Sequence, residues 1–442
     1  MQNTLGIKFN FQSLLRFAFP SMTMMVFLSL YTIVDGMFVS RYVGTTALSA
    51  VNMIFPAYTV GMAVALMIAA GGCAIVAKKL GEGKTMEARQ DLSFFVLVEA
   101  VLGIVCAVCG YLFIDPIVTF LGASPAQYEL CRTYGVLMMA FAPTFYLQTA
   151  FQSFFVAAGR PGLGLGVTVA AGLTNVALDY LFIVVMKMGI AGAALGTGLG
   201  TCIPAAAGLI FFTFSKTNPL RFTRPHYDFR MLASACGNGA SEMVTNLANS
   251  ITTFLYNLAF LNSFGEDGVA AITIVLYFQF VFSAIFFGFS SGVAPIFSYK
   301  YGAGDKGQLK VIFRLSMLLI LIFSVLSWAA SDLSIAEVLK LFTPAGTSVY
   351  DITIAGFPVY AAGFLLMGVS IFASAMFTAF SNGVVSAVIS FVRTFIFLAG
   401  SIILLPQFFG SDGLWMAAPA AELAGLLVSV FFLFRMRRKY GY

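Results

Sequence analysis

The sequence predicts an all-α integral membrane protein with twelve transmembrane helices in two six-helix lobes, related by a pseudo-twofold axis along the membrane normal. Three observations predict this fold. The 442 residues are 60% hydrophobic and only 10% charged, whereas soluble domains are roughly 25% charged. The apolar residues form long runs between short polar segments. The second half of the chain also repeats the pattern of the first.

The low charge excludes a chain of soluble domains, because so few charges cannot cover water-facing surfaces. The formal net charge is +6, but the 24 lysines and arginines are scattered singly and in short groups rather than in a basic stripe. Nucleic-acid binding is therefore not expected. We interpret the basic residues as topology signals of a membrane protein.

The apolar runs define the individual helices. A helix needs about 20 residues to cross ~30 Å of hydrocarbon. The twelve predicted spans are 12–38, 46–76, 91–114, 128–158, 162–186, 190–214, 231–262, 268–299, 309–330, 348–379, 383–406 and 413–434. The first run contains Asp35 and is too long for the apolar core of a signal peptide, so we expect it to remain as a membrane helix.

Glycine-rich turns and charges separate the spans, as at residues 81–84. The longest polar stretch is 216–230, at the midpoint of the chain. We therefore predict an N-lobe at 1–215 with helices 1 to 6, a cytoplasmic linker at 216–230, and a C-lobe at 231–442 with helices 7 to 12.

The distribution of basic residues predicts the orientation. If the N-terminus is cytoplasmic, 19 of the 24 lysines and arginines fall in inside segments and four fall outside. The remaining one, Arg393, lies within a span. Because basic residues concentrate on the cytoplasmic side, both termini are predicted to be cytoplasmic.

The two halves are related by a single offset in residue number. Adding 221 reproduces many identities, including Gly44 and Gly265, Gly71 and Gly292, Gly81 and Gly302, Gly189 and Gly410, and Gly192 and Gly413. Each repeat has an even number of spans, so the second copy enters the membrane in the same direction as the first. This predicts the axis along the membrane normal and a cleft between the lobes near the midplane, which is the geometry of an alternating-access carrier.

Ionisable side chains inside a bilayer are costly and often functional. Asp35 and Asp179 each lie in the outer half of an outward-running span, so we expect them at similar depth in one lobe. Two carboxylates in a poorly hydrated cavity cannot both ionise easily. Such a pair can load and unload a proton, or hold Na⁺ together with Asn175, and Thr197 offers another oxygen. Two structural carboxylates bonded to polar neighbours are the alternative.

Three further residues are secondary candidates. Glu242, in the inner third of the seventh span, either shapes the cavity or is a hydrogen-bonded or snorkelling side chain. Arg393 neutralises an acid, contacts substrate, or snorkels from the cytoplasmic end. Pro20 removes a backbone hydrogen bond in mid-helix and predicts a bend four turns before Asp35, either functional or static.

The residues do not indicate an enzyme. Six cysteines and one histidine, His226, form no metal-binding pattern, and we interpret Cys106 and Cys109 as ordinary helix residues. The glycines at 196 and 200 resemble part of a dinucleotide loop, but no strand precedes them and their spacing suits close helix packing. No ATP site or cofactor is predicted, so the energy for transport would come from an ion gradient or a partner protein.

Several segments together resemble the multidrug and toxic compound extrusion (MATE) family. They are Phe19-Pro20, the run from Tyr31 through Asp35 to Ser40, Arg41 to Gly44, Ala47 to Ala50, Asn175 to Phe182 and Gly189 to Thr197. With the duplicated six-helix halves they make the resemblance specific, and it covers essentially the whole chain. The similarity is to the DinF/MepA-like bacterial branch.

The resemblance implies an antiporter in the bacterial inner (cytoplasmic) membrane that exports organic, mostly cationic amphiphilic compounds in exchange for H⁺ or Na⁺. In DinF-like members the ion-coupling carboxylates lie in the first and fifth helices, which implies Asp35 and Asp179 here. The residues that the resemblance places around them are Asn175, Thr197, Tyr31 and Gln152.

The resemblance to the NorM-like branch is weaker. That branch uses an acid deep in the seventh helix and another in the tenth. This chain has Asn246 and Asn249 deep in the seventh helix, Glu242 nearer its inner end, and Asp351 at the outer edge of the tenth. We therefore expect ion coupling in the N-lobe.

A flippase for a lipid-linked or amphiphilic substrate of the same superfamily is the alternative function. It would be expected to need a cationic central cavity for pyrophosphate, whereas acids outnumber bases deep in these spans. We expect the partners to be small organic cations and the lipid bilayer, without nucleic acid or ATP, and the protein to be a monomer.

Overall fold

The computed structural model describes residues 4–216 and 218–442, and the described chain is almost wholly helical. The α-helices are α1 Phe11–Phe38, α2 Thr45–Gly81, α3 Thr85–Phe120, α4 Pro125–Ala140, α5 Ala142–Ala157, α6 Pro161–Asp179, α7 Ile190–Phe214, α8 Phe229–Gly302, α9 Lys306–Phe342, α10 Ser348–Ala361, α11 Gly363–Ala379, α12 Gly383–Phe391, α13 Gly400–Phe409 and α14 Asp412–Tyr440. Three π-helical turns continue α1, α6 and α12, at Val39–Val43, Tyr180–Val185 and Val392–Ala399.

The described helices make twelve passes, as predicted. Nine are each long and apolar enough to cross a membrane, and α10 with α11 forms a further span bent by 47°. Helix α8 has 74 residues, about 110 Å at 1.5 Å per residue, and leaves helical geometry at Gly265 (φ 71°), so it contains two passes. Helices α4 and α5, interrupted at Phe141, form the twelfth.

Several helices extend beyond the predicted apolar runs into segments that carry charged residues. Helix α2 continues to Gly81, and α3 already begins at Thr85. Lys79 of α2 lies 2.7 Å from Asp91 of α3. An apolar pattern ends at such charges, whereas the helix itself continues into the aqueous boundary.

Contacts between the lobes are symmetric. A Cβ atom added to Gly81 would overlap the backbone oxygen of Tyr299, and one added to Gly302 would overlap the backbone oxygen of Lys78. These two contacts exchange under the offset of 221, which relates 78 to 299 and 81 to 302. Equivalent surfaces that contact each other reciprocally are the signature of a twofold relation.

The breaks in the helices repeat with the same offset. Phe141 separates α4 from α5, and Ala362 separates α10 from α11. Gly189 and Gly410, in the turns before α7 and α14, have φ angles of 61° and 59°. Only glycine adopts positive φ at little cost, so these glycines set the same turn in both lobes.

The lobes contact each other at one end of the helix bundle. Both chain termini lie at this end. We call this the terminal face, formed by residues 78–84 and 299–309. The Phe9 N–H donates to Gln308 Oε1 at 2.8 Å, and Lys300 Nζ donates to the Gly6 carbonyl at 3.0 Å. The close backbone contacts of Gly81 and Gly302 lie on the same face. The cleft between the lobes is therefore closed at the terminal face.

Candidate functional site

The structure brings the two acids of the N-lobe together. Asp35 lies in the last turn of α1, and Asp179 is the last residue of α6. Their carboxyl groups interact directly with each other. The Asp179 residue is fully buried, with 0% exposure, and Asp35 is half-buried.

Most carboxyl oxygens of this pair lack a hydrogen-bond donor within the described part of the chain. Oδ1 of Asp35 and both Oδ atoms of Asp179 are buried and have no hydrogen-bond donor among the described residues. Burying a charge without a partner is costly. Two ionised carboxylates cannot donate to each other, whereas one shared proton supplies a donor to the pair. The pocket therefore suits the uptake of one positive charge.

Asn175 and Thr197 lie beside the pair, as the sequence predicts. Asn175 is one turn before Asp179 on α6, and its Nδ2 donates to Thr197 Oγ1 of α7 at 3.3 Å. Its Oδ1 is buried without a donor in the described chain. Carboxylate and amide oxygens are ligands for hard cations, so the residues present also fit Na⁺. Residues 4–216 and 218–442 contain no cluster of three or more His, Cys, Asp or Glu that could hold a metal ion.

Three tyrosines surround the acid pair. Tyr31 of α1, Tyr58 of α2 and Tyr134 of α4 lie within electrostatic range of Asp35. Tyr31 also packs its ring against Phe27, with the centroids 6.1 Å apart. Sequence reasoning missed Tyr58 and Tyr134, because aromatic residues are common in membrane spans and only the helix packing selects these two.

Gly196 of α7 makes room for the pair. A Cβ atom at this position would overlap Asp179 Oδ1. The spacing of the α7 glycines predicts close helix packing, and α7 does pack tightly against α6 at this point. The sequence alone did not indicate that a carboxylate fills the space left by this glycine.

The acid pair has no copy in the C-lobe. The positions equivalent to Asp35, Tyr58 and Asp179 under the offset of 221 are Tyr256, Gln279 and Gly400. The Tyr360 hydroxyl donates to the Gln279 side chain, and the Tyr256 hydroxyl is buried without a partner among the described residues. The duplicated fold therefore carries an acidic pocket in the N-lobe and a neutral one in the C-lobe.

Arg393 is held by an acid in the C-lobe. It lies in the π-helical turn Val392–Ala399, and Glu422 of α14 binds it in a bidentate manner. Arg393 Nε donates to Oε2 at 2.8 Å and Nη2 donates to Oε1 at 2.7 Å. The side chains are only 12% and 10% exposed. The pairing agrees with the expectation that Arg393 neutralises an acid, and Arg393 also lines the cavity between the lobes.

A cavity of about 1080 Å³, including the part open to solvent, lies between the lobes. Its wall carries apolar and hydroxyl side chains from both lobes, among them Met24, Met25, Val156, Phe287, Ser290 and Ser374. Glu242 reaches this cavity and has no ion-pair partner in the described chain. Since Glu422 neutralises Arg393, Glu242 is the unpaired acid in the described part of this wall.

Two other predicted residues lie apart from the acid pair. Gln152 lies in the wall of the central cavity, where its Nε2 donates to Thr168 Oγ1 at 3.3 Å. Pro20 lies inside α1, which runs without a break from Phe11 to Phe38. The bend expected at Pro20 stays a prediction, since an unbroken helix is compatible with a bent and with a straight one.

Comparison with known proteins places the chain in a family. The family model MatE matches it twice, at residues 20–181 and 243–403. The chain belongs to the MatE family. The two matches fall in the two lobes, as a duplicated MatE fold requires, and the resemblance seen in the sequence is confirmed.

Relatives cover nearly the whole MatE chain. Multidrug export protein MepA of Staphylococcus haemolyticus (strain JCSC1435) is 22% identical over 434 residues, which are 97% of this chain and 94% of the relative. MepA of Staphylococcus aureus (strain NCTC 8325) is 24% identical over 371 residues, 81% and 80% of the two chains. MatE proteins are multi-pass membrane transporters rather than enzymes.

A solved structure shares the fold. It is described as an outward-facing conformation of a multidrug resistance MATE family transporter of the MOP superfamily. It superposes with a TM-score of 0.92 at 20% identity and covers 99% of this chain and 97% of its own. The two-lobed MatE architecture is therefore shown by the fold comparison.

Proposed function

We propose that this protein is a secondary active antiporter that exports amphiphilic organic cations in exchange for H⁺ or Na⁺ by alternating access. The observation that carries the proposal is the buried Asp35 and Asp179 pair, whose unsatisfied oxygens suit one positive charge. The relatives named multidrug export proteins support the class of substrate.

Coupling arises because the ion and the cationic substrate compete for the same negatively charged carboxyl groups. On the outer side the pair takes up an ion, which lowers its attraction for a bound cationic substrate and releases it. On the cytoplasmic side the ion leaves, and the negative pocket together with Glu242 favours the next substrate. Such exchange requires the ion and the substrate to favour opposite conformations. Flexible Met24 and Met25 in the cavity wall suit loose recognition of varied ligands.

The geometry of the pair supports H⁺ as the first ion to test. Two neighbouring carboxyl groups that interact directly can share one proton between them. Na⁺ needs several oxygen ligands, for which Asn175 Oδ1 is the available third group. Exchange of one monovalent cation for one H⁺ or Na⁺ moves no net charge, so the concentration gradient of the ion supplies the energy. Each tenfold ion gradient supplies about 1.4 kcal/mol and supports about a tenfold substrate gradient.

The cavity charge favours this proposal over a lipid flippase. A pyrophosphate headgroup would need free cations, but the Arg393 guanidinium already binds Glu422. Glu242 adds an unpaired carboxylate to the same wall. A cationic ligand therefore matches the cavity better than an anionic one.

The proposal predicts ethidium transport in proteoliposomes driven by an ion gradient. We expect accumulation under an imposed pH gradient or an imposed Na⁺ gradient, and the effective gradient identifies the coupling ion. Protein-free liposomes under the same gradients are the control. Absence of transport under both gradients, with the protein folded and correctly inserted, would contradict the proposal.

Gly196→Ala is expected to lower gradient-driven transport by about tenfold, the equivalent of about 1.4 kcal/mol. The new methyl group overlaps Asp179 Oδ1, so the carboxyl group must turn away from Asp35 and the shared ion site is lost. Initial rates of ethidium transport measure the effect.

The matched control is Gly166→Ala in α6, where an added Cβ meets nothing within 4 Å. This variant keeps the wild-type rate if the effect at 196 comes from the displaced carboxylate. Equal losses in both variants would instead indicate a general response of membrane helices to added methyl groups.

A further inference from the structure

The terminal face carries a basic pocket that neither the acid pair nor the central cavity uses. Its volume is about 710 Å³, including the part open to solvent. Lys78 of α2 lines it from the N-lobe, and Lys306 of α9 and Lys439 of α14 line it from the C-lobe. The pocket therefore spans the junction between the lobes.

The positive charge of this pocket is not neutralised by protein. Its three lysines have no carboxylate within 4.0 Å in residues 4–216 and 218–442. Glu82, the acid in the pocket wall, pairs with Lys84 at 2.9 Å. By contrast, the neighbouring Lys300 lies 3.6 Å from Asp305 and donates to the Gly6 carbonyl. The pocket lysines are free to bind an anion from outside.

Aromatic rings hold two of these lysines in place. Lys78 Nζ lies 5.4 Å from the centroid of the Tyr301 ring, and Lys439 Nζ lies 5.2 Å from that of Tyr440. Tyr440 is itself fixed by stacking on Phe380, with centroids 4.6 Å apart. Cation–π contacts of this kind limit the freedom of the ammonium groups. The lysines are therefore partly ordered before any ligand arrives.

The internal repeat does not account for the lysines of this pocket. Under the offset of 221, the residues equivalent to Lys78, Lys306 and Lys439 are Tyr299, Thr85 and Asn218. None of these three equivalent residues is a cation. Basic residues that only orient the protein in the membrane need not converge at one junction between the lobes. The difference between the three lysines and their equivalents therefore indicates a local role for this pocket.

We propose that this pocket binds a phosphate group, and that the bound phosphate stabilises the conformation in which the terminal face is closed. Phosphate oxygens match the ammonium groups, and basic pockets between membrane helices bind anionic headgroups. The N-lobe contributes one lysine and the C-lobe two, so separation of the lobes divides the site. A ligand that binds the closed state more tightly shifts the population toward it.

The test measures the distance between the lobes rather than transport. Spin labels at Met86→Cys and Val311→Cys, both exposed, report opening of the terminal face by pulsed electron paramagnetic resonance in a cysteine-free background. The protein is placed in phosphatidylcholine nanodiscs, alone, with phosphatidylglycerol, or with inorganic pyrophosphate. We expect at least one phosphate probe to raise the ratio of closed to open protein about threefold, which is about 0.65 kcal/mol.

The Lys306→Gln, Lys439→Gln double variant is expected to lose this shift. Lys310→Gln is the control, because Lys310 is an exposed cation one turn after Lys306 on α9 that does not line the pocket. A response to phosphatidylglycerol alone assigns a lipid headgroup, and a response to pyrophosphate alone assigns a soluble phosphate.

An unchanged distance with both probes overturns the proposal, and so does an equal shift in the double variant. If the double variant does not fold, Lys78→Gln removes the N-lobe contribution and Lys306→Arg must retain the shift. Failure of the antiport proposal would leave these distances unaffected, so the two proposals are tested separately.

Discussion

Asp35→Asn is expected to lower gradient-driven transport of ethidium by at least about tenfold, which corresponds to about 1.4 kcal/mol of lost coupling. The asparagine amide can donate a permanent hydrogen bond to the Asp179 carboxylate, and this imitates the ion-loaded pocket. Because the side chain cannot release a proton, the pocket does not return to the state that favours a cationic substrate. The expected result is a folded protein that no longer responds to the gradient.

Initial rates in proteoliposomes measure this effect, with ethidium binding followed in parallel by fluorescence. The matched control is Asp332→Asn, which removes an exposed carboxylate of α9 and should leave the rate unchanged. Asp35→Glu should recover part of the activity, since it restores an ionisable group. Full transport by Asp35→Asn would show that the buried pair is only structural.

Glu422→Gln is expected to cause the largest loss of stability, about 3 kcal/mol or more. The Arg393 guanidinium loses a bidentate carboxylate at 2.7 and 2.8 Å and remains largely buried without a counter-charge. Removing one partner of a buried pair is strongly destabilising for this reason. Thermal unfolding in detergent, read as the apparent Tm, measures the change.

The double variant Arg393→Met, Glu422→Leu should recover most of the lost stability, because apolar side chains can replace a buried ion pair. The control is Glu337→Gln, which breaks an exposed ion pair with Lys340 and should change stability by about 1 kcal/mol or less. A Tm for Glu422→Gln equal to that of Glu337→Gln would contradict the assigned role of the buried pair.

The number and order of the helices could be predicted from the sequence. In a bilayer every backbone polar group must be satisfied within the chain, so long apolar runs become helices whatever their partners. The offset of 221 likewise predicted a twofold relation between the lobes, and the reciprocal contacts of Gly81 and Gly302 agree with it. The ends of α2 and α3 were less predictable, since Lys79 and Asp91 pair across the turn.

The site was only partly predictable. Asp35, Asp179, Asn175 and Thr197 were candidates because carboxylates and their polar neighbours are rare in apolar helices. Gln152 lies in the central cavity instead, because the rotation of a helix about its axis depends on packing that no local pattern records.

By itself, the sequence determined the membrane class, the twelve passes and the repeat, together with a short set of intramembrane acids. These properties follow from the length of the apolar runs and from the order of the residues along the chain. Only the tertiary structure decided that Asp35 meets Asp179, that Glu422 rather than solvent neutralises Arg393, and that three lysines converge between the lobes. The physical reason is that each pairing joins helices distant in sequence, and its energy depends on distance and burial, which arise only when the helices pack.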